Sequence, residues 1–172
     1  ASLLPIPDGT FVLSRGIWGS GRPMEHVDAH GEPIESFGDT LPSGVRYWRT
    51  VHLAAAADSG FWSAPPHSQL EFQLWSAPAR LTRSLRLTRS YFPDYARAVS
   101  ATPTEPPSPE LVGFWSDSTD ALWIVVRIAD SHWPQGLGSG KQAEGSTYYP
   151  IDNWDKVFDT IVERVDSRTG ES

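Results

Sequence analysis

The alternation of apolar and polar positions is most regular in residues 111–129, where two apolar segments flank a short polar turn. Phe114 and Trp115 lead into the polar residues 116–120, and residues 122–126 then form an apolar run rich in β-branched and aromatic side chains. Such side chains fit the pleated, half-buried surface of a strand. The segment therefore predicts two antiparallel strands joined by a tight turn.

Short apolar segments separated by turn signals recur along the rest of the chain. Leu70, Phe72 and Leu74 alternate with polar residues, which is the two-residue period of a strand buried on one face. The same kind of pattern predicts further strands at residues 3–6, 11–13, 24–28, 33–37, 49–56, 61–63, 81–87 and 157–165. This density of short strands predicts an all-β protein.

Three polar turns, each followed by an apolar strand, indicate an internal repeat. Residues 8–12 (DGTFV) align with residues 58–62 (DSGFW) and with the turn 117–120 and the Leu122-Trp123 pair after it. The spacings of roughly 50 and 60 residues are close to the length of a propeller blade. A second turn signature follows each of the first turns, so each unit is predicted to be a four-stranded antiparallel meander, as in a β-propeller blade.

The repeat also supports a resemblance to a known family. The segments PDGTFVLSRG, HVDAHGEPIESFG, ADSGFWSAP and VFDTIVERVDSRTG resemble bacterial six-bladed β-propellers with NHL-like repeats. The resemblance implies an exported protein, periplasmic or secreted, and it leaves function open because propellers include binding modules, lyases and lactonases. A six-bladed ring needs about 240 residues or more, so this chain of 172 residues is interpreted as a partial propeller of about three blades.

The chain is predicted to form one partial propeller domain over residues 1–172. Its predicted parts are blade 1 at residues 1–44, blade 2 at 45–92, a Pro-rich connector at 93–109, and an incomplete blade 3 at 110–172 with a long loop at 130–155. Both terminal blades are expected to expose an apolar face. Those faces would be covered by the remaining blades of a longer protein or by self-association.

Composition and charge narrow the classes of function. The formal net charge of −7 argues against a nucleic-acid partner. Cysteine is absent, which excludes disulfides, thiolate metal sites and cysteine nucleophiles within this sequence. No apolar run approaches the roughly 18 residues of a helical membrane span. We therefore expect neither a nucleic-acid partner nor a membrane span in this chain.

Candidate catalytic and metal-binding patterns are weak. His26 and His30 stand four residues apart across a predicted hairpin, where their side chains diverge. The aspartates of the turns, such as Asp8 and Asp117, are expected to bond their own backbone. His52 is the clearest metal-ligand candidate on a predicted inner strand. The sequence predicts no metal site and no cofactor, and it leaves catalytic residues unknown.

Aromatic and arginine side chains concentrate in the loops between the second and third strands of each unit and in the connections between units. In a propeller, these loops lie on one face. These residue types form binding hot spots, although some could instead wedge adjacent blades together. The predicted ligand-binding residues are Arg15, Trp18, Arg22, Tyr47, Trp48, Arg49, Tyr91, Asp130, His132 and Trp133. Tyr148, Tyr149 and Trp154 belong to the same distribution.

The function favoured by this distribution is that of an exported, non-enzymatic module that binds a small ligand or a partner protein at its loop-rich face. The alternative is a propeller enzyme of the lactonase or lyase class. In that case most of its metal ligands would lie in further blades.

Overall fold

The strands form antiparallel sheets in which spatial order follows chain order. The computed structural model describes residues 2–14, 21–38, 51–57, 60–64, 69–76, 79–94, 99–143 and 145–172. The first sheet has the order β1 (Ser2–Pro5), β2 (Phe11–Ser14), β3 (Met24–Val27) and β4 (Pro33–Phe37). The second has the order β5 (His52–Ala55), β6 (Phe61–Ala64), β7 (Leu70–Ser76) and β8 (Arg80–Leu87).

The third sheet contains β9 (Glu110–Ser116), β10 (Leu122–Ala129) and, on the other side of β10, β13 (Phe158–Val165). Its long strands and the two meanders before it confirm the prediction of an all-β protein. Residues 101–109 form no helix or strand, because proline has no backbone N–H for a sheet ladder and fixes its own φ angle.

Residues 130–155, predicted as a long loop, contain short regular elements. These are a 3-10 helix (Trp133–Gly136), a hairpin of β11 (Lys141–Ala143) and β12 (Ser146–Tyr148), and the start of helix α1 (Trp154–Val157). Backbone bonds tie the segment together, including Gly138 N to the carbonyl of Pro150 at 2.8 Å. A Cβ atom on Gly136 would lie 2.6 Å from the Asn153 carbonyl oxygen. At this position glycine therefore permits close backbone packing. From composition alone, a glycine needed for close packing looks the same as a glycine in a flexible loop.

The turn between the first two strands of each sheet has the same backbone hydrogen bond. The three bonds are Ile6 N to Thr10 O (3.0 Å), Ala56 N to Gly60 O (3.0 Å) and Asp117 N to Ala121 O (2.9 Å). They make Phe11, Phe61 and Leu122 equivalent, as the repeat predicted. In the third turn, however, Thr119 takes the position of Asp8, so the predicted match between Asp8 and Asp117 is wrong by two residues.

The second sheet lies between the other two and is buried on both faces. On one side Val12, Met24 and Phe37 of the first sheet pack against Phe61 and Trp75. On the other side the following residues form a second core: Trp62, Leu70, Phe72, Phe114, Leu122 and Ile124. Edge-on aromatic pairs cross both junctions, Phe37 with Trp75 at 5.3 Å and Phe72 with Phe114 at 5.2 Å between ring centroids.

The first strands of the three sheets are neighbours, since β1 lies beside β5 and β5 beside β9. Two side chains link β5 and β9 directly. His52 Nε2 lies 3.2 Å from the Leu111 carbonyl oxygen, and the Ser116 hydroxyl donates to the Ala55 carbonyl at 2.6 Å. The sheets therefore meet along one shared edge, and His52 contributes to that junction.

Truncation of a side chain between the sheets should cost far more stability than truncation of an exposed ring. Trp62 is fully buried, so Trp62→Ala should lower the free energy of unfolding by about 3–5 kcal/mol. Trp154→Ala is the matched control, because this ring is 53% exposed and should cost roughly 1 kcal/mol or less. Urea unfolding of both variants measures the difference. Equal losses would contradict the stacking of the sheets.

Candidate binding cleft

The predicted ligand-binding residues fall into two groups in the structure. Arg15, Trp18, Tyr47, Trp48 and Arg49 lie outside the described residues. The other predicted positions are Arg22, Tyr91, Asp130, His132 and Trp133. Asp130, His132 and Trp133 lie together after β10, whereas Tyr91 and Arg22 lie on other parts of the fold. Their roles differ according to the elements that hold them.

Asp130 and Trp133 anchor the insert, which is the segment of residues 130–157 between β10 and β13. A carboxylate oxygen of Asp130 accepts from the backbone N–H of His132, and its carbonyl accepts from Trp133 N at 3.2 Å. The Trp133 indole donates to the Thr102 carbonyl at 2.9 Å and so ties the Pro-rich connector to the insert. His132 is exposed beside Asp130, and Arg22 is exposed just before β3.

Tyr91 belongs to a cluster that joins the second sheet to the third. Its hydroxyl donates to the carboxylate of Glu163 on β13. Burial and this hydrogen bond raise the pKa of Tyr91. Arg89 approaches the same carboxylate at 2.7 Å, and both side chains of this ion pair are mostly buried. The cluster therefore contributes to packing between the sheets.

A cleft of about 620 Å³ lies between the Pro-rich connector and the insert, beside the third sheet. Ligand sites commonly have volumes of about 300–1,000 Å³. The lining residues are Val99, Ser100, Ala101, Thr102, Pro107, Ser108, Pro109, Glu110, Arg127, Ser146, Thr147, Tyr148, Tyr149, Ile151, Trp154 and Phe158. The structure thus brings together Tyr148, Tyr149 and Trp154 from the predicted aromatic distribution.

An ion pair and two rings form one wall of the cleft. Arg127 Nη2 lies 2.8 Å from Glu110 Oε2. The guanidinium carbon of Arg127 also lies 5.1 Å from the Trp154 ring centroid and 5.2 Å from that of Phe158. The two rings are stacked at 5.4 Å. Arg127 therefore forms an ion pair with Glu110 and cation–π contacts with the rings of Trp154 and Phe158.

Sequence reasoning did not find Glu110, Arg127 and Phe158. Glu110 and Arg127 are paired residues of the β9–β10 hairpin only because the register shifts by one residue between Val125 and Val126. Counting outward from the 117–121 turn would have placed Arg127 opposite Leu111, and the sequence does not show the bulge. Phe158 pairs with Ala129 on the far side of β10. No local pattern shows that the 141–148 hairpin folds back to face these residues.

The candidate histidines and turn aspartates have structural partners. Buried His26 has Nε2 at 2.7 Å from the Thr10 hydroxyl, whereas His30 is exposed in the following turn. Asp117 Oδ1 accepts from the Thr119 backbone at 2.8 Å. Hydrogen bonds led by the Thr119 hydroxyl hold the pKa of Asp117 below its usual range. The expected backbone-bonding role of Asp117 is confirmed.

In the described part of the chain, no group of three or more acidic or histidine side chains is placed to hold a metal ion. None of the helices in those residues is long and apolar enough to cross a membrane.

Comparison of the chain with known protein families, curated proteins and solved structures finds no match.

The Glu163 cluster should make stability depend on pH. Burial acts to raise the pKa of Glu163, but hydrogen bonds from Arg89, Ser172 and Tyr91 outweigh it and lower the pKa below 4.5. A lowered folded-state pKa stabilises the protein above the unfolded-state pKa, and this contribution is lost as the pH falls through the folded-state value. Glu163→Gln should therefore cost about 2 kcal/mol near neutral pH and progressively less below about pH 4.

Urea unfolding of wild type and Glu163→Gln, near pH 7 and near pH 3, measures this change. Glu105→Gln is the matched control, because Glu105 is exposed in the connector and its replacement should matter little at either pH. A loss for Glu163→Gln that is the same at both pH values would show that the charge is not the stabilising feature.

Proposed function

We propose that this chain is part of a bacterial β-propeller of the NHL-like kind and that it binds a ligand without catalysis in the cleft beside its third sheet. The stacked meanders and the adjacency of β1, β5 and β9 support the propeller, since propeller blades meet along their inner strands around a central channel. The family resemblance of the repeat segments supports an exported, extracytoplasmic protein.

The cleft itself is the observation that supports binding. It is concave, it has aromatic walls, and it carries several hydroxyl groups, which is the usual make-up of a ligand site. Trp154 is 53% exposed and Tyr148 is 48% exposed. About half of each residue's surface is therefore open to a ligand, and burial of aromatic surface contributes strongly to binding.

The charges of the cleft favour a neutral ligand. The ion pair of Arg127 and Glu110 is already formed at 2.8 Å, so an ionic ligand would have to compete with it. The other polar side chains of the lining are hydroxyls of serine, threonine and tyrosine. Those of Thr102, Ser108 and Thr147 each accept a hydrogen bond within the chain and keep a hydroxyl proton that can be donated. Hydroxyls both donate and accept hydrogen bonds. A molecule with a flat apolar face and a rim of hydroxyls matches this lining, so the proposed ligand class is a short neutral saccharide.

Binding of neutral oligosaccharides should depend on Trp154. An array of such glycans identifies a binder, and titration calorimetry then measures its dissociation constant for wild type and variants. Trp154→Ala should weaken binding at least tenfold, because loss of an aromatic anchor commonly costs about 2 kcal/mol. Leu81→Ala is the control, since Leu81 is 43% exposed on the second sheet and does not line the cleft.

The outcomes separate binding from catalysis. Unchanged affinity in Trp154→Ala, or an array without a binder, would contradict a saccharide site in the cleft. A bound glycan that is recovered chemically altered would overturn the non-catalytic proposal and favour the enzyme alternative.

A further inference from the structure

Each sheet has two faces that the internal junctions define. The leading face packs on the preceding sheet, and the trailing face packs on the following one. In the second sheet the leading face includes Phe61 and Trp75, and the trailing face includes Trp62 and Phe72. Two such junctions are formed within the chain. Among the described residues, no sheet covers the leading face of the first sheet or the half of the third sheet's trailing face that lies near the 117–121 turn. The other half of that trailing face carries Glu110, Arg127 and Phe158 and faces the β11–β12 hairpin across the cleft.

The leading face of the first sheet is apolar. Its register places Leu3 opposite Leu13 and Pro5 opposite Phe11, and these side chains lie on the side away from the buried Val12. Leu3 is 60% exposed. Phe11 is partly exposed, although its equivalent Phe61 is fully buried at the junction of the first and second sheets.

The turn half of the third sheet's trailing face is largely apolar, with Arg164 beside Trp123 as its charged member. Trp115 and Trp123 pair across β9 and β10, and their rings stack at 5.8 Å. Val125 pairs with Val162 on the same face, and Val162 is 56% exposed. Trp123 is equivalent to Trp62, which is fully buried between the second and third sheets.

We infer that two copies of this chain pair head to tail, with the leading face of the first sheet of each copy packed on the trailing face of the third sheet of the other. Within one chain, a trailing face packs on a leading face at two junctions. The two uncovered faces are one of each type, so a second copy supplies the matching face for each of them. A twofold pair covers both of the faces described above. It contains six sheets, within the four to eight blades of closed propellers.

A second copy fits these faces better than an unrelated partner does. The position filled by Trp62 in one internal junction is filled by Trp123 at the uncovered face, and the position of Phe61 is filled by Phe11. The pair would therefore repeat, between copies, the contacts that stack the sheets within one copy. This inference does not depend on a ligand in the cleft.

Sedimentation of the full 172-residue chain tests the pairing. Across roughly 1 to 100 μM, wild type should pass from one chain to a species of twice the 19.0 kDa mass of one chain. Leu3→Glu and Val162→Glu each place a charge on one of the two faces. Each variant should raise the dissociation constant at least about tenfold. Leu81→Glu is the control, because Leu81 is 43% exposed on the second sheet and should leave pairing unchanged.

Mixing the two variants gives the decisive result. A head-to-tail pair of Leu3→Glu with Val162→Glu chains keeps one junction free of either change, so the mixture should form a heterologous pair more strongly than either variant alone. Leu3 and Val162 are exposed in the single chain, and cooperative urea unfolding of each variant shows that it has folded. If a glutamate variant does not fold, Leu3→Ser and Val162→Ser take its place in the same test.

Three outcomes would overturn the inference. They are a wild-type monomer at every concentration, association lost in only one of the two glutamate variants, and a mixture that associates no better than its components. Loss in Val162→Glu alone would indicate a face-to-face dimer through the third sheet.

Discussion

The structure depends on the burial of the second sheet between the other two. Both faces of this sheet are apolar, so their surface is removed from water only when a neighbouring sheet packs on each side. Edge-on contacts of Phe37 with Trp75 and of Phe72 with Phe114 fix how the faces interdigitate. The His52 and Ser116 side chains bond to backbone carbonyls between β5 and β9, and the Arg89–Glu163 ion pair joins the second sheet to the third at a separate place.

The cleft follows from the same arrangement. The hairpin of β9 and β10 brings Glu110 and Arg127 together where the connector arrives and the insert departs. The Trp133 bond to the Thr102 carbonyl holds the connector against the insert. The open rings of Tyr148 and Trp154 are therefore presented by segments that are themselves anchored, which limits the ordering cost of binding.

Most of the strands could be predicted because a strand buried on one face has a local two-residue period. Leu70, Phe72 and Leu74 carried that pattern, and the structure extends their strand to Ser76. The repeat also placed Phe11 and Phe61 correctly, since its turn geometry is local. The structure of residues 130–155 could not be predicted, because contacts such as that between Leu137 and Ile151 depend on tertiary folding.

The candidate site shows the same limit. Residue type suggested that Tyr91 and Trp133 bind a ligand, but the structure gives their polar atoms partners within the chain, Glu163 and the Thr102 carbonyl. Only the path of the chain determines which aromatic rings pack inside and which remain open. Trp154 and Tyr148 remain open because they lie on the short elements of the insert, which have little core of their own.

Nuclear Overhauser effects between aromatic rings test the stacking of the sheets most directly. The account predicts cross-peaks between Phe37 and Trp75 and between Phe72 and Phe114, because their ring centroids lie 5.3 and 5.2 Å apart across the two junctions. Assignments can be secured with Phe72→Leu and Phe37→Leu, which should each remove one set of peaks. Strong contacts within each sheet, combined with the absence of both sets between sheets, would contradict the account.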